Sequence, residues 1–309
     1  MMIEFLIAAT LAMSAPQPQP QDIPDTSTRL EDIEVTGRPL EALIREFVDD
    51  VAAPNAGRNL ARWDRGVCVG AANLQAETAQ YLVDRISTVA EDLDLRPGQP
   101  GCTPNILIIA SADPTTLTAE LIERSPLSFR PGGSGMDRGG ARLRDFRDSD
   151  RPVRWWAVSI PTDSETGQRA VRLPGDCSGN CGSIYNYAPN ISVSSASRLS
   201  TQIVDDLNRV IVVVDVNKLE GVSALQLADY VAMVSLAQID PTADTEAYAT
   251  ILNVFDAPET AQTLTDWDLA YLRGLYGSQR TQALPGANRS EVASTIRRAH
   301  RDARRDDAD

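Results

Sequence analysis

Histidine is all but missing: the chain of 309 residues holds one, His300, in a charged stretch near its end. Ser-His-Asp and Cys-His nucleophile systems, which need an imidazole base, are thereby excluded. Lysine is equally scarce, with Lys218 in the loop "NKLEG" the only one, so Ser-Lys chemistry has a single candidate. Positive charge as a whole is in deficit: 43 acidic residues stand against 29 basic ones, for a net charge of -14. Such a field repels nucleic acid phosphates and anionic membrane surfaces, so no nucleic acid partner is expected. Beyond the N-terminus no apolar run is long enough for a transmembrane segment. What stays chemically open is paired-carboxylate catalysis or a hard metal held by oxygen ligands.

What is present begins with "MMIEFLIAATLAMSAPQPQPQ", an apolar run from Phe5 to Met13 followed by small residues and a proline-glutamine repeat. It reads as a signal peptide over residues 1–14, with Ala12 and Ser14 suited to the positions before cleavage, although Glu4 and the lack of Lys or Arg make its n-region unusual. Residues 15–30 are too poor in apolar side chains to fold and read as a disordered leader. The expected location is periplasmic or secreted. Four cysteines agree with that. Disulfides Cys68 to Cys102 and Cys177 to Cys181, the latter in "CSGNC", are one of three possible pairings. A four-thiolate zinc site is the rival reading, weakened by the distance in sequence between Cys68 and Cys102.

Residues 31–61 form an N-terminal extension. Its "IEVTGRP" resembles the short box by which outer-membrane receptors pair with an energy-coupling protein of the TonB type, or is simply an edge strand leading into a helix from Leu40 to Val51. From Arg62 the pattern alternates. "VCVGAANL" reads as a strand, the next twenty residues as an amphipathic helix with Leu82, Ile86, Val89 and Leu93 on one face, and "NILIIAS" as a buried strand. "TLTAELIERS" reads as a further helix, and "RPGGSGMDRGG", residues 130–140, as a long turn or flap with a weak phosphate-loop signal. "VRWWAVSIP" with "RAVRLP" suggests a hairpin, "NISVSSAS" another strand, and "NRVIVVVDV" a central one. Ser223 and Gln226 then spell a capping box for "QLADYVAMVSLAQIDP", whose apolar residues surround most of the helix. Residues 279–309 read as a charged tail with a short, fraying helix.

Three late blocks carry a resemblance. "LTDWDLAYLRGLYG" supplies Leu264, Thr265, Asp268, Leu275, Tyr276 and Gly277 of a helix that follows the active site in metzincin peptidases of matrixin and astacin type. "ILNVF" stands at that family's methionine turn, without the methionine, and "QLADYVAMVSLAQ" at its HExxHxxGxxH helix. The chain over 62–278 is thus similar to a degenerate metzincin-like (zincin) domain, as in secreted bacterial proteins that have lost the motif. The resemblance implies an α/β (α+β) fold: a mixed twisted sheet, a long helix after the first strand, a central buried helix and a short C-terminal helix. Overlaying the motif puts Ala228 and Ala232 at the first two histidines, Asp229 at the catalytic glutamate, Ser235 at the glycine and Gln238 at the third histidine. Two alanines offer no donor, so no zinc and no other cofactor is expected. The expectation is a non-catalytic module that binds an unknown protein or envelope component. The alternative is a carboxylate-dependent hydrolase, glycosidase-like or peptidase-derived, with Asp229 its weak catalytic candidate and Asp240, Asp244, Asp256 and Asp268 nearby in sequence.

Overall fold

The structure, a computed structural model, describes residues 39–64, 66–132, 135–176, 183–193 and 197–306. Among these are eight α-helices and one four-stranded mixed sheet, an α+β arrangement. The strands are β1 (Val69–Ala72), β2 (Ile106–Ser111), β3 (Val153–Asp163) and β4 (Ile203–Asp215), in the order β1-β2-β4-β3. β1, β2 and β4 run parallel, and β3 is antiparallel at the edge. The branched run of β4 explains its central place. Val210, Val212 and Val214 enter one apolar cluster and Ile211 and Val213 the other, as alternation across a pleated strand requires.

The larger cluster lies between the sheet and two helices, α2 (Ala76–Glu91) and α6 (Ala224–Leu236). α2 buries Leu82, Ile86, Val89 and Ala90, spaced to one helical face. The opposite sheet face is covered by α3 (Pro114–Arg124), α4 (Pro126–Phe129) and α5 (Gly139–Asp148), with Trp156, Phe129 and Phe146 at the centre. An outer layer is made by α1 (Leu40–Val51), α7 (Asp266–Gly277) and α8 (Pro285–Asp306). α1 buries Ile44, Phe47, Val48 and Val51, and the Phe47 ring meets Tyr248, Trp267 and Tyr271 at 4.9, 5.3 and 5.9 Å.

Several expectations change. β4 begins at Ile203, earlier than "NRVIVVVDV" suggests, because residues 203–207 pair with the far half of β3 beyond a register shift at Val158/Ser159. The expected hairpin after β3 is reduced to one bridge, Thr162 to Arg169. Residues 190–193 of "NISVSSAS" form no strand. In the described part of the glycine-rich stretch Met136 is fully buried and its carbonyl accepts the Ser159 N–H at 2.9 Å. Asp137 takes the Gly139 N–H at the start of α5, so the chain itself occupies the position a phosphate would need. The terminal segment is a helix of 22 residues whose Val292, Ala293 and Ile296 are buried against α1 and α7. His300 lies on it and is only 6% exposed, not the solvated residue its charged surroundings suggest. The signal peptide, the leader, residues 33–38 of "IEVTGRP" and the Cys177 and Cys181 pair fall outside the described residues.

Candidate functional site

The helix α6 is where the sequence concentrates its signals. Ser223 caps it, accepting the Gln226 N–H at 3.2 Å while Gln226 Oε1 accepts the Ser223 N–H at 2.9 Å. Every residue from Gln226 to Leu236 is buried, which follows from apolar side chains around nearly the whole circumference. Ala228, Ala232 and Ser235 have no exposed surface, and Gln238 is 3% exposed just beyond the helix end.

The four positions are not open to a substrate or a metal. Residues 52–64 cross the end of α6 and fill the space between it and the strands β3 and β4. Ala52 bridges to Ile239, and the Ala53 N–H donates to the Gln238 carbonyl at 2.9 Å. The Gln238 side-chain oxygen accepts the Ala61 N–H at 2.8 Å, and Trp63 Nε1 donates to the Ser235 carbonyl at 2.9 Å. On the strand side Asn55 Nδ2 donates to Ser159 Oγ at 2.9 Å, Arg58 pairs with Asp205 at 2.7 Å, and Arg62 bridges to Asp206. The half-buried Arg62 guanidinium donates to the carbonyls of Leu275, Tyr276 and Ser278, and desolvation, then the neighbouring Arg280, hold its pKa down at about 10. With alanines at two positions and the Gln238 oxygen committed to a backbone donor, these residues do not fit a zinc ion.

Asp229, the first carboxylate candidate, has no exposed surface. Its Oδ1 accepts from Arg85 Nε at 2.6 Å, and its Oδ2 accepts from Arg85 Nη2 at 3.1 Å, from the Thr263 hydroxyl and from the Leu264 N–H at 2.8 Å. The carboxylate joins α2, α6 and the approach to α7. Both oxygens accept from protein donors and the group has no exposed surface, so no face of it is open to a reacting atom. Asp268 is equally enclosed. It takes the Thr250 hydroxyl, the Ile251 N–H at 2.8 Å, and the Thr265 N–H and hydroxyl at 2.9 and 2.8 Å. Burial pushes its pKa up, with those hydrogen bonds pulling the other way.

The remaining candidates do not converge. Asp240 pairs with Arg138 at 2.7 Å and accepts from Thr242 in a turn. Asp244 and Asp256 lie in the turns that follow α6. Lys218 reaches the Asp150 carbonyl at 2.8 Å on the surface. Among the described residues no three His, Cys, Asp or Glu side chains gather in a way that could hold a metal ion. The Cys68–Cys102 disulfide is formed, linking the start of β1 to the turn before β2. Sequence reasoning missed Arg85, although it lies one turn from Leu82 and Val89, at the flank of the apolar stripe of α2. It also missed residues 52–64, whose side chains reach partners distant in sequence.

Comparison with protein-family models, with curated proteins and with solved structures found no match to this chain. No helix among the described residues is long and apolar enough to cross a membrane.

Proposed function

We propose that this is an exported, non-catalytic binding module built on a zincin-like framework that lacks the zinc site. The observation that carries the reading is the filled end of α6: residues 52–64 pack where a substrate cleft would open, and the motif positions hold Ala228, Ala232 and a committed Gln238. The order of elements supports the framework. A first strand leads into a long helix, an antiparallel edge strand follows, and the last strand delivers a buried helix and then the Thr265-capped α7. The disulfide supports export, since oxidising compartments are where such bonds persist. The hydrolase alternative loses its first residue, because Asp229 is a buried structural anchor.

The test is metal analysis of the purified protein after exposure to zinc. The expected result is less than a tenth of an equivalent retained through a desalting column. Zinc bound stoichiometrically and tightly would remove the reading.

A further inference from the structure

The sheet ends on one side at β1, and part of that edge is uncovered. In a parallel ladder the peptide groups of successive residues face alternate neighbours. The Cys68 carbonyl accepts the Ile106 N–H at 3.1 Å, so Cys68, Gly70 and Ala72 face β2. Val67, Val69 and Ala71 therefore face outward. Val67 is satisfied there: its N–H donates to the Arg96 carbonyl at 3.0 Å, and its carbonyl accepts the Gly98 N–H at 2.7 Å. The chain then leaves the edge in the turn at Pro100 and Gly101, and among the described residues no group pairs with the outward N–H and C=O of Val69 or Ala71. β1 is short, yet it carries no proline, bulge or charged side chain, the usual means of closing an edge to other chains.

The helix above this edge defines what could join it. α2 packs over β1, and Arg85, which reaches Asp229, marks the flank of α2 that faces α6. At about 3.6 residues per turn, Ala79 and Val83 fall on the other flank, on the side of the free edge, and both are half-buried. Apolar side chains of an added strand would meet that flank. Glu77, Asp84 and Glu91 recur at every seventh position and form an exposed acidic line along the outward face of α2, about 20 Å long, the span of a strand of about six residues. Asp92 and Asp94 continue it. The cations nearby are Arg85, already held by Asp229, and the exposed Arg96 at the near end of the edge.

We propose that the free edge of β1 is a strand-addition site for an extended basic segment of a partner protein, in which arginine or lysine alternates with apolar residues. Main-chain bonds to Val69 and Ala71 supply the pairing, and the side chains of the added strand divide between the Ala79 and Val83 flank and the acidic line. The charge of that line selects a basic partner, and it disfavours a second copy of this chain, whose net charge is -14. The proposal rests on the binding-module reading and gives it a partner class.

The test is calorimetric titration of the purified full chain with an end-blocked heptapeptide alternating arginine and valine, and with its fully N-methylated form, which keeps the charge and has no main-chain donor. Ala71→Pro removes only an outward donor, a change that an edge strand tolerates. Asp84→Lys with Glu91→Lys reverses the acidic line and leaves β1 intact, so it decides the matter even where Ala71→Pro does not fold. Glu123→Lys, exposed on α3, is the control. Saturable binding of the unmethylated peptide, weakened about tenfold or more by N-methylation, by Ala71→Pro and by the double reversal, and unchanged by Glu123→Lys, is the expected result. No saturable binding overturns the proposal, and so does equal binding of the N-methylated peptide, which would be charge attraction alone. A dimer of the unbound chain that Ala71→Pro dissociates would put a second copy on the edge and overturn the partner. Slow hydrogen exchange at Val69 and Ala71 in an unbound monomer would show the edge already covered by this chain, with the same consequence. Each of these failures leaves the metal-free module reading standing, whereas stoichiometric zinc would remove that reading without touching the peptide result.

Discussion

Arg85 on α2 grips Asp229 on α6 at two points, Nε to Oδ1 at 2.6 Å and Nη2 to Oδ2 at 3.1 Å. The carboxylate has no exposed surface and the arginine side chain is 29% exposed. Removing the arginine strands a buried charge, whereas removing the charge leaves an arginine that can reach water. Arg85→Ala should therefore lower stability by ~3 kcal/mol or more. Asp229→Asn should cost less, and the double variant should fall well short of the sum. Denaturant titrations of the three variants check this, and simple additivity would mean the pair is not coupled.

Asp268 supplies a pH signature. Its folded pKa is raised by burial, so the stability it contributes is fully present below the ordinary carboxylate range, near 4, and is lost as pH rises through the folded value. Asp268→Asn imitates the protonated acid, keeping one oxygen for the Ile251 and Thr265 donors. Measured against pH from 4 upward, wild-type stability should decline relative to Asp268→Asn. A gap that stays constant with pH would contradict this.

The Cys68–Cys102 bond closes a loop with a sequence separation of 34, which spans all of α2. In the chain-entropy picture it contributes about 3–4 kcal/mol. The Cys68→Ser, Cys102→Ser double variant should unfold at correspondingly lower denaturant in a non-reducing buffer. Gly98→Ala should also destabilise, since an added Cβ would stand 2.4 Å from the Cys102 sulfur.

Gly274 is the point of closest approach between α7 and α8. A Cβ there would lie 2.4 Å from Ile296 Cγ1. Gly274→Ala should cost about 1–3 kcal/mol despite alanine's better helix propensity. Hydrogen exchange should show the loss first in α8, and in an Ile296→Ala background, which removes the clashing Cγ1, the Gly274→Ala step should cost less than it does in the wild type.

These elements were unequally visible beforehand. α2, β2, β4 and α6 are written in local periodicity, and the caps of α6 and α7 in single residues, Ser223 with Gln226 and Thr265 with Asp268. α8 was legible only as a short, fraying helix, because its thin face of Val292, Ala293 and Ile296 does not show how far it extends without α1 and α7 to receive it. The strand expected at "NISVSSAS" had the right residue types, but residues 190–193 form no ladder, and the Asn190 N–H instead donates to the Ala170 carbonyl at 2.7 Å. At the candidate site the sequence pointed to Ala228, Ala232, Ser235 and Gln238, and all four are buried on or just beyond α6. What fills the space around them depends on pairs such as Asn55 with Ser159 and Arg58 with Asp205, and no local pattern announces a contact across that many residues.

Residues 52–64 also bear on the order in which the chain can fold. They are made early, yet Asn59 donates to the Gln282 carbonyl and the Leu60 N–H to Asn288, partners synthesised more than two hundred residues later. Contacts of such long range close slowly. A nascent chain that has reached only β4 carries this segment with its final partners absent, and the end of α6 not yet made. Among the described residues, α8 thus fastens a segment made more than two hundred residues before it.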